Sequence, residues 1–494
     1  MLGRSMMAYL PVNIANIVAS FGTIVILTRL LDPAQWGIYS LAGITMHAVH
    51  MSMFTWVEAA MARFQARAER NNDVNSHVKT LYRLALLIGV VGFTLMMIVV
   101  KLLPLEQTLR SVLVVALGSS CLMLFLNLGM EAHKAAHRIK RYSLTYSGHT
   151  LLSFGIGLLF IMYTPFQASG PFIGIILSLL TIGAIDVIYM LRQARGGVYQ
   201  SDKAKTYFAY GVPIGLSLVL TYALNSADSY MIAYLIDIPT QGKYVAGYNL
   251  SNRSLDIIFS WVAMAVTPMA ITAFEKESSE VSQNIMKDFG ATLLWLTMPA
   301  ATGIALVSQD AGFILGEGVR EQAITVMPLI AFAGLINGFM NFYAHRAFML
   351  SGKTGAFVWA MIPPVILNIA LNFILIPKFG IMGAVWATVI CYALACAIAI
   401  ILARRYYPLP LPIRAGLEIS GACLFMAVCV YIAPISDQWP DFVRLMVKAV
   451  IGGAAYLGIC LLMNIANCRT VLKNILQKFR SSDDDSADMD EASA

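Results

Sequence analysis

Several ionisable residues stand inside apolar stretches of this chain, where each could do chemistry: His47, His50 and Glu58 in one stretch, and Asp228, Arg253 and Asp256 in two others. A charge in hydrocarbon costs a few kcal/mol even on lenient insertion scales, so such groups normally face a bundle interior or a watery cavity. Asp228 and Arg253 each lie about eight residues inside the same end of their stretches, roughly 12 Å deep at helical rise. They could pair, and Arg253 and Asp256 are also neighbours one turn apart. One reading is a structural cluster whose charges cancel. The other makes Asp228 and Asp256 ion-coupling groups for H⁺ or Na⁺ and Arg253 an anion site. His47 and His50, three apart, could titrate near neutral pH or serve as interhelical hydrogen-bond donors. Glu58, next to Arg63, reads either as a salt-bridged end residue or as a proton site. Asp186 and Glu418 lie near stretch ends and read as structural.

The elements that must position these groups follow from composition. Of 494 residues, 59% are hydrophobic and only 12% charged, against about 25% in an ordinary soluble domain. That excludes a soluble globular protein and leaves no room for a soluble enzyme module. Apolar runs predict fourteen helical spans, near 6–31, 36–62, 81–103, 109–132, 142–164, 171–191, 207–236, 245–274, 289–309, 323–349, 355–376, 381–403, 415–434 and 443–467. The fold class expected is an all-α polytopic membrane protein. With the N-terminus inside, the even-numbered connections and both tails carry 25 Lys and Arg and the odd-numbered ones 8. The positive-inside rule then puts both termini in the cytoplasm.

Other features carry no separate chemistry. The net charge of +7 is scattered between apolar runs, which suits loops facing anionic membrane lipid rather than nucleic acid. All seven cysteines (Cys121, Cys391, Cys396, Cys423, Cys429, Cys460 and Cys468) fall in or beside apolar stretches without metal-ligand spacing, so they read as small core residues. Ser351-Gly352-Lys353-Thr354 resembles the end of a phosphate-binding loop, but Ala347 stands where that pattern needs Gly. No ATP and no cofactor is implied. Arg469, Lys473, Lys478 and Arg480 suggest a segment on the inner leaflet, and the acidic stretch 481–494 a solvated, disordered tail.

Self-comparison at a shift of 205 residues aligns Leu30, Asp32, Gly37 and Tyr39 with Leu235, Asp237, Gly242 and Tyr244. The same shift pairs Asn16, Ser20 and Thr23 of span 1 with Thr221, Asn225 and Asp228 of span 7, each set lining one helix face. Span 2 carries His47, His50 and Glu58 on one face, and span 8 carries Asn249, Asn252, Arg253, Asp256 and Ser260. Six helices separate the copies, so both halves cross in the same sense, as in parallel repeats about an axis along the membrane normal. The domains expected are 1–206 and 207–405 as two six-helix lobes around a central cavity, 406–468 as two further helices, and 469–494 as the tail.

The most specific string runs from Leu367-Asn368 through Asn372 and Leu375-Ile376-Pro377-Lys378-Phe379-Gly380-Ile381-Met382-Gly383-Ala384 to Ala387-Thr388. Physically, Pro377 and Gly380 suit a tight turn, while Gly383 and Ala384 let span 12 approach a neighbour. This string resembles the C-terminal signature of the polysaccharide exporter family, the Wzx-like O-antigen and exopolysaccharide flippases of the MOP superfamily. Thr28-Arg29-Leu30-Leu31, Gly37-Ile38-Tyr39, Asp228, Gly247-Tyr248 and Pro268 are similar to the same family. The resemblance implies a MATE-like inner-membrane protein of two six-helix lobes that moves undecaprenyl-diphosphate-linked sugars to the periplasm by alternating access. Polysaccharide polymerase machinery would be a partner. The MurJ-like branch carries basic residues in span 1 where Asn13 and Asn16 stand here, which points away from a peptidoglycan precursor.

The expected function is therefore a lipid-linked oligosaccharide flippase, a transporter and not an enzyme. Asn16, Ser20, Asn225, Asn249 and Asn252 would shelter the sugar headgroup, and Arg253 would attract the diphosphate. Asp228, Asp256, His50 and Glu58 are the candidates for ion coupling. The alternatives are a cation-coupled multidrug exporter of the same superfamily and a membrane glycosyltransferase or polymerase. The short outer connections argue against the enzyme, which needs a large loop for its catalytic groups.

Overall fold

The computed structural model describes residues 2–276, 279–351 and 354–469. Gly352 and Lys353 of the short turn, and the basic and acidic stretch 470–494, lie outside the described residues. Every regular element among the described residues is helical. Among the described residues, twelve helices are long and apolar enough to cross a membrane, which makes this a multi-span membrane protein. Helix also covers the two expected spans that are missing from the twelve. Span 2 is two shorter helices, Pro33–Met53 and Thr55–Arg70, and span 8 is the 39-residue helix Ile238–Lys276, interrupted throughout by polar residues. These two spans carry most of the candidate residues.

The chain divides into two compact units. The first comprises Met1–Leu250, Phe313–Val326 and Thr354–Ala395, and the second Ser251–Gly312, Met327–Lys353 and Cys396–Ala494. In the first, Phe54, Val57 and Met61 of span 2 pack into a core with Leu81 and Ala85 of span 3 and Leu117 and Leu124 of span 4. A second core joins Leu41 and Ala42 to Leu113, Ala116 and Phe172. In the second unit, Ile419, Cys423 and Met426 of span 13 meet Tyr456 and Cys460 of span 14. Five cysteines are buried and all seven are free, in keeping with a packing role. Outside the membrane segments, Lys203 bonds the Asp73 carboxylate and holds it below the usual carboxylate range.

The 205-residue repeat has a local physical basis. Asp32 caps the helix that begins at Pro33, accepting from the Gln35 N–H at 2.8 Å. Its counterpart Asp237 does the same before Ile238, accepting from the Thr240 N–H at 2.6 Å. An aspartate at an N-cap satisfies a backbone donor that the helix itself leaves orphaned. The repeat-related glycines pack on one another. A Cβ on Gly242 would lie 2.8 Å from the Gly37 Cα, and one on Gly37 would lie 2.3 Å from the Ile238 carbonyl oxygen. Around this crossing the Trp36 indole donates to the Gly242 carbonyl at 2.8 Å, and the Ser40 hydroxyl donates to Gln241 Oε1 at 3.1 Å. Near the same end, Thr28 accepts from the Gly316 N–H at 3.1 Å and Arg29 donates to the Phe313 carbonyl at 2.7 Å.

The span 11 to 12 turn is built largely as its residues suggest. Gly380 turns with φ +57, and a Cβ on Gly383 would lie 2.3 Å from the Leu375 carbonyl oxygen. Pro377, however, lies in the last turn of the helix Thr354–Phe379 rather than in the turn itself.

Candidate functional site

Asp228 is buried, and its partners are neutral. Tyr244 and Thr388 donate to Oδ2, the latter at 3.2 Å, and the Ser229 N–H donates to Oδ1 at 2.9 Å. Where the depth argument offers a guanidinium, the carboxylate takes two hydroxyls and an amide. Three turns of span 7, span 8 and span 12 are tied here. One helical turn earlier, Asn225 accepts from Tyr392 at 2.9 Å, and Tyr392 and Tyr248 share a hydrogen bond of 3.0 Å. Thr388 belongs to the specific string of span 12, and Tyr244 is the repeat counterpart of Tyr39. Tyr392 carries no such signal beyond lying one turn after Thr388.

Glu58 has a partner that spacing alone misses. Its Oε1 accepts from His50 Nε2 at 2.8 Å and from Asn127 Nδ2 at 3.0 Å, while His50 Nδ1 contacts the Ser120 hydroxyl at 3.2 Å. The expected neighbour Arg63 is replaced by an imidazole eight residues back. On an unbroken helix that separation is about 12 Å of rise. The break at Phe54, which is fully buried and fixed by the core, brings the two side chains together. Both are 13% exposed. The pair can exist as neutral imidazole with carboxylate or share one more proton, with Asn127 and Ser120 able to bond either state.

In the second unit, Asn252 donates to Asp256 at 3.2 Å, and its Oδ1 lies against Gly334. Arg253 is exposed and closes no ion pair among the described residues of its own unit. Asn249 is half-buried in the first unit. In span 1, Asn16 accepts from Tyr146 at 2.8 Å, Ser20 and Thr23 are half-buried, and Thr23 opens a π-helical turn, Thr23–Leu27. His47 is exposed, with Nδ1 2.9 Å from the Gly43 carbonyl. Asp186 is buried between His133 at 2.9 Å and Arg141 at 3.0 Å, and Glu418 pairs with Arg414 at 2.8 Å.

Spans 1, 2, 4, 5 and 6 enclose a cavity of about 220 Å³ inside the first unit, lined in part by Thr23, His47, Asn127, Tyr146, His149 and Thr150. None of its lining residues is Asp, Glu, Lys or Arg. The sequence reading missed the contribution of span 5, although Tyr146, His149, Thr150 and Ser153 recur every three or four residues and so mark one polar face.

The profile of the polysaccharide biosynthesis protein family matches residues 2–274. A probable low-salt glycan biosynthesis flippase of Haloferax volcanii is 25% identical over 193 residues, 38% of this chain and 40% of that protein. The match thus spans less than half the length of that relative. Among solved structures, the lipid II flippase MurJ in an inward closed conformation is similar with a TM-score of 0.74 at 14% identity, covering 93% of this chain and 98% of that one. An inward-facing multidrug resistance MATE family transporter of the MOP superfamily gives 0.65 at 14% identity, over 81% of this chain and 97% of that one. At such identities the likeness is one of fold. With more than half of its length matched by the family profile, the chain belongs to the polysaccharide biosynthesis protein family.

Proposed function

We propose that this protein carries a lipid-linked oligosaccharide across the bacterial inner membrane by alternating access, as a transporter rather than an enzyme. The observation that carries the reading is the cavity of the first unit, whose largely apolar wall carries one amide, several hydroxyls and two imidazoles and no Asp, Glu, Lys or Arg. Sugar hydroxyls are matched by such groups and sugar C–H faces by the apolar wall, whereas a buried cationic drug calls for a carboxylate, which the lining lacks. The family membership and the glycan flippase named in Haloferax volcanii support the same substrate class. In this proposal the repeat defines two six-helix lobes, 1–206 and 207–405, followed by two helices in 406–468. Asn16, Ser20, Asn225, Asn249 and Asn252 line the path of the headgroup, the lipid tail stays in the bilayer, and polymerase machinery takes the product. The contact between spans 2 and 8 at Gly37 and Gly242 closes the periplasmic end and must part for release.

Ion coupling is assigned first to His50 and Glu58, which share one hydrogen bond across the break in span 2. Asp228 and Asp256 are the other carboxylates on the polar faces. Full-length protein in liposomes, supplied with lipid-linked glycan extracted from producing cells, is expected to expose the glycan to an external glycosidase. Exposure no greater than in empty liposomes would overturn the proposal. An inward-directed pH gradient is expected to change the wild-type rate and to leave Glu58→Gln unaffected. An equal response in both would remove the pair from coupling.

Topology follows from the split of 25 against 8 basic residues. Periplasm-dependent reporter fusions are expected to be silent at Ala494 and active near Ser436. The reverse pattern would invert the proposed direction of transport.

A further inference from the structure

We propose that the cavity of the first unit is a subsite for one neutral sugar ring of the cargo, oriented by the Nε2 lone pair of His149; this rests on the saccharide reading above. The Ser178 hydroxyl donates to the His149 carbonyl at 3.1 Å, which commits its only proton. With the Ser178 proton assigned to that carbonyl, the 2.9 Å contact between His149 Nδ1 and Ser178 Oγ runs from Nδ1–H to oxygen. Nε2 is left as the acceptor of a neutral imidazole. His149 is 8% exposed and lines the cavity, and among the described residues Nε2 has no partner.

Two neighbours repeat the pattern. Tyr146 donates its proton to Asn16 at 2.8 Å, and Ser153 donates to the Thr150 carbonyl at 3.0 Å. Each keeps oxygen lone pairs to offer. Three lining groups, Tyr146, Ser153 and His149, have thus spent their protons on the protein and fit a ligand rich in O–H donors. A pyranose is such a ligand, and its C–H face can rest on Met130 and Phe154, which also line the space.

Size and charge narrow the class. The volume of 220 Å³ is below the ~300 Å³ floor typical of drug-sized ligands and corresponds to about seven waters at ~30 Å³ each. A single ring matches that volume. A uronic acid would place its carboxylate among acceptors with no cation in the lining, and burying an unpaired charge is strongly disfavoured. The ring is therefore neutral, N-acetylated rings included.

The test uses full-length protein in liposomes with undecaprenyl diphosphate N-acetylglucosamine as probe and the external accessibility of the sugar as readout. Thr150→Trp, which fills the cavity, is expected to slow translocation about tenfold or more, on the scale of a lost interaction of ~1.4 kcal/mol. His149→Leu is expected to raise the half-saturating probe concentration with little change in maximal rate, and His149→Gln, which keeps an acceptor, to restore part of it. Should Thr150→Trp fail to assemble, the two His149 variants decide alone. Wild-type transport with wild-type behaviour in all three variants overturns the subsite and leaves the flippase reading standing. No transport by wild type overturns the flippase reading itself. A glucuronate-bearing probe carried as fast as the neutral one overturns the neutral-ring assignment.

Discussion

Joining Ser40→Cys to Gln241→Cys with a short bifunctional thiol reagent is expected to stop translocation, and reduction of the link to restore it. The two side chains already share a 3.1 Å hydrogen bond beside the place where Gly37 and Gly242 touch. In an alternating-access cycle the contact between spans 2 and 8 has to open on one side of the membrane. A covalent tie removes that state altogether, whereas a ligand or a hydrogen bond only shifts its population. Each single variant treated with the same reagent should keep its transport, which controls for the seven native cysteines. The glycines give a second measure of the same contact. Gly242→Val puts side-chain atoms where even a Cβ lies 2.8 Å from the Gly37 backbone, and overpacking of this kind costs about 1–3 kcal/mol. The closed arrangement should suffer and the open one should not, so a cysteine reporter at Ser40 should react faster in the Gly242→Val background. Undiminished transport in the fully tied protein would show that these helices never separate.

The legible parts of this molecule share a physical feature: their cause is local. Helical rods follow from apolar runs because a backbone in lipid must satisfy its own hydrogen bonds. Asp32 and Asp237 could be matched across 205 residues because a cap depends only on the next turn. Gly37 and Gly242 stood out for the complementary reason that a close approach of two backbones tolerates no other residue, a constraint written in residue type. The fourteen expected spans exceed the twelve strongly apolar helices among the described residues because spans 2 and 8 are the ones loaded with polar groups.

Tertiary cause was harder to see. No proline or glycine marks the break at Phe54, which arises from burial of that ring against spans 3 and 4, so the meeting of His50 with Glu58 could not be read from their spacing. Asp228 was visible as a buried charge, but whether its partner would be a guanidinium or a set of hydroxyls depended on where Tyr244 and Thr388 arrive. The cavity in the first unit is not written in formal charge or in the 205-residue repeat. His149 and its hydroxyl neighbours in span 5 present the same three-and-four spacing without any charge to advertise it.

Replacing Arg253 by Ala is expected to reduce translocation of lipid-linked glycan by about ten- to a hundredfold, the range that follows from losing hydrogen bonds to a charged group. Arg253 is exposed on its helix, three residues before Asp256, whose carboxylate is already bonded by Asn252 at 3.2 Å. A guanidinium whose acidic neighbour is served by an amide has its donors available for an anion, and a diphosphate is the anion of the proposed cargo. Lys at the same position keeps the charge but replaces a planar fork with a point donor. If Arg253 engages phosphate oxygens, Arg253→Lys should recover only part of the lost rate, and the deficit should shrink as the probe concentration rises. If it merely balances Asp256, Lys should restore the rate in full, because charge alone is then what matters. Asp256→Asn separates the two accounts further: charge balance makes it rescue Arg253→Ala, whereas diphosphate recruitment leaves the double variant as slow as Arg253→Ala itself. Full activity of Arg253→Ala at matched protein level would remove the residue from both roles.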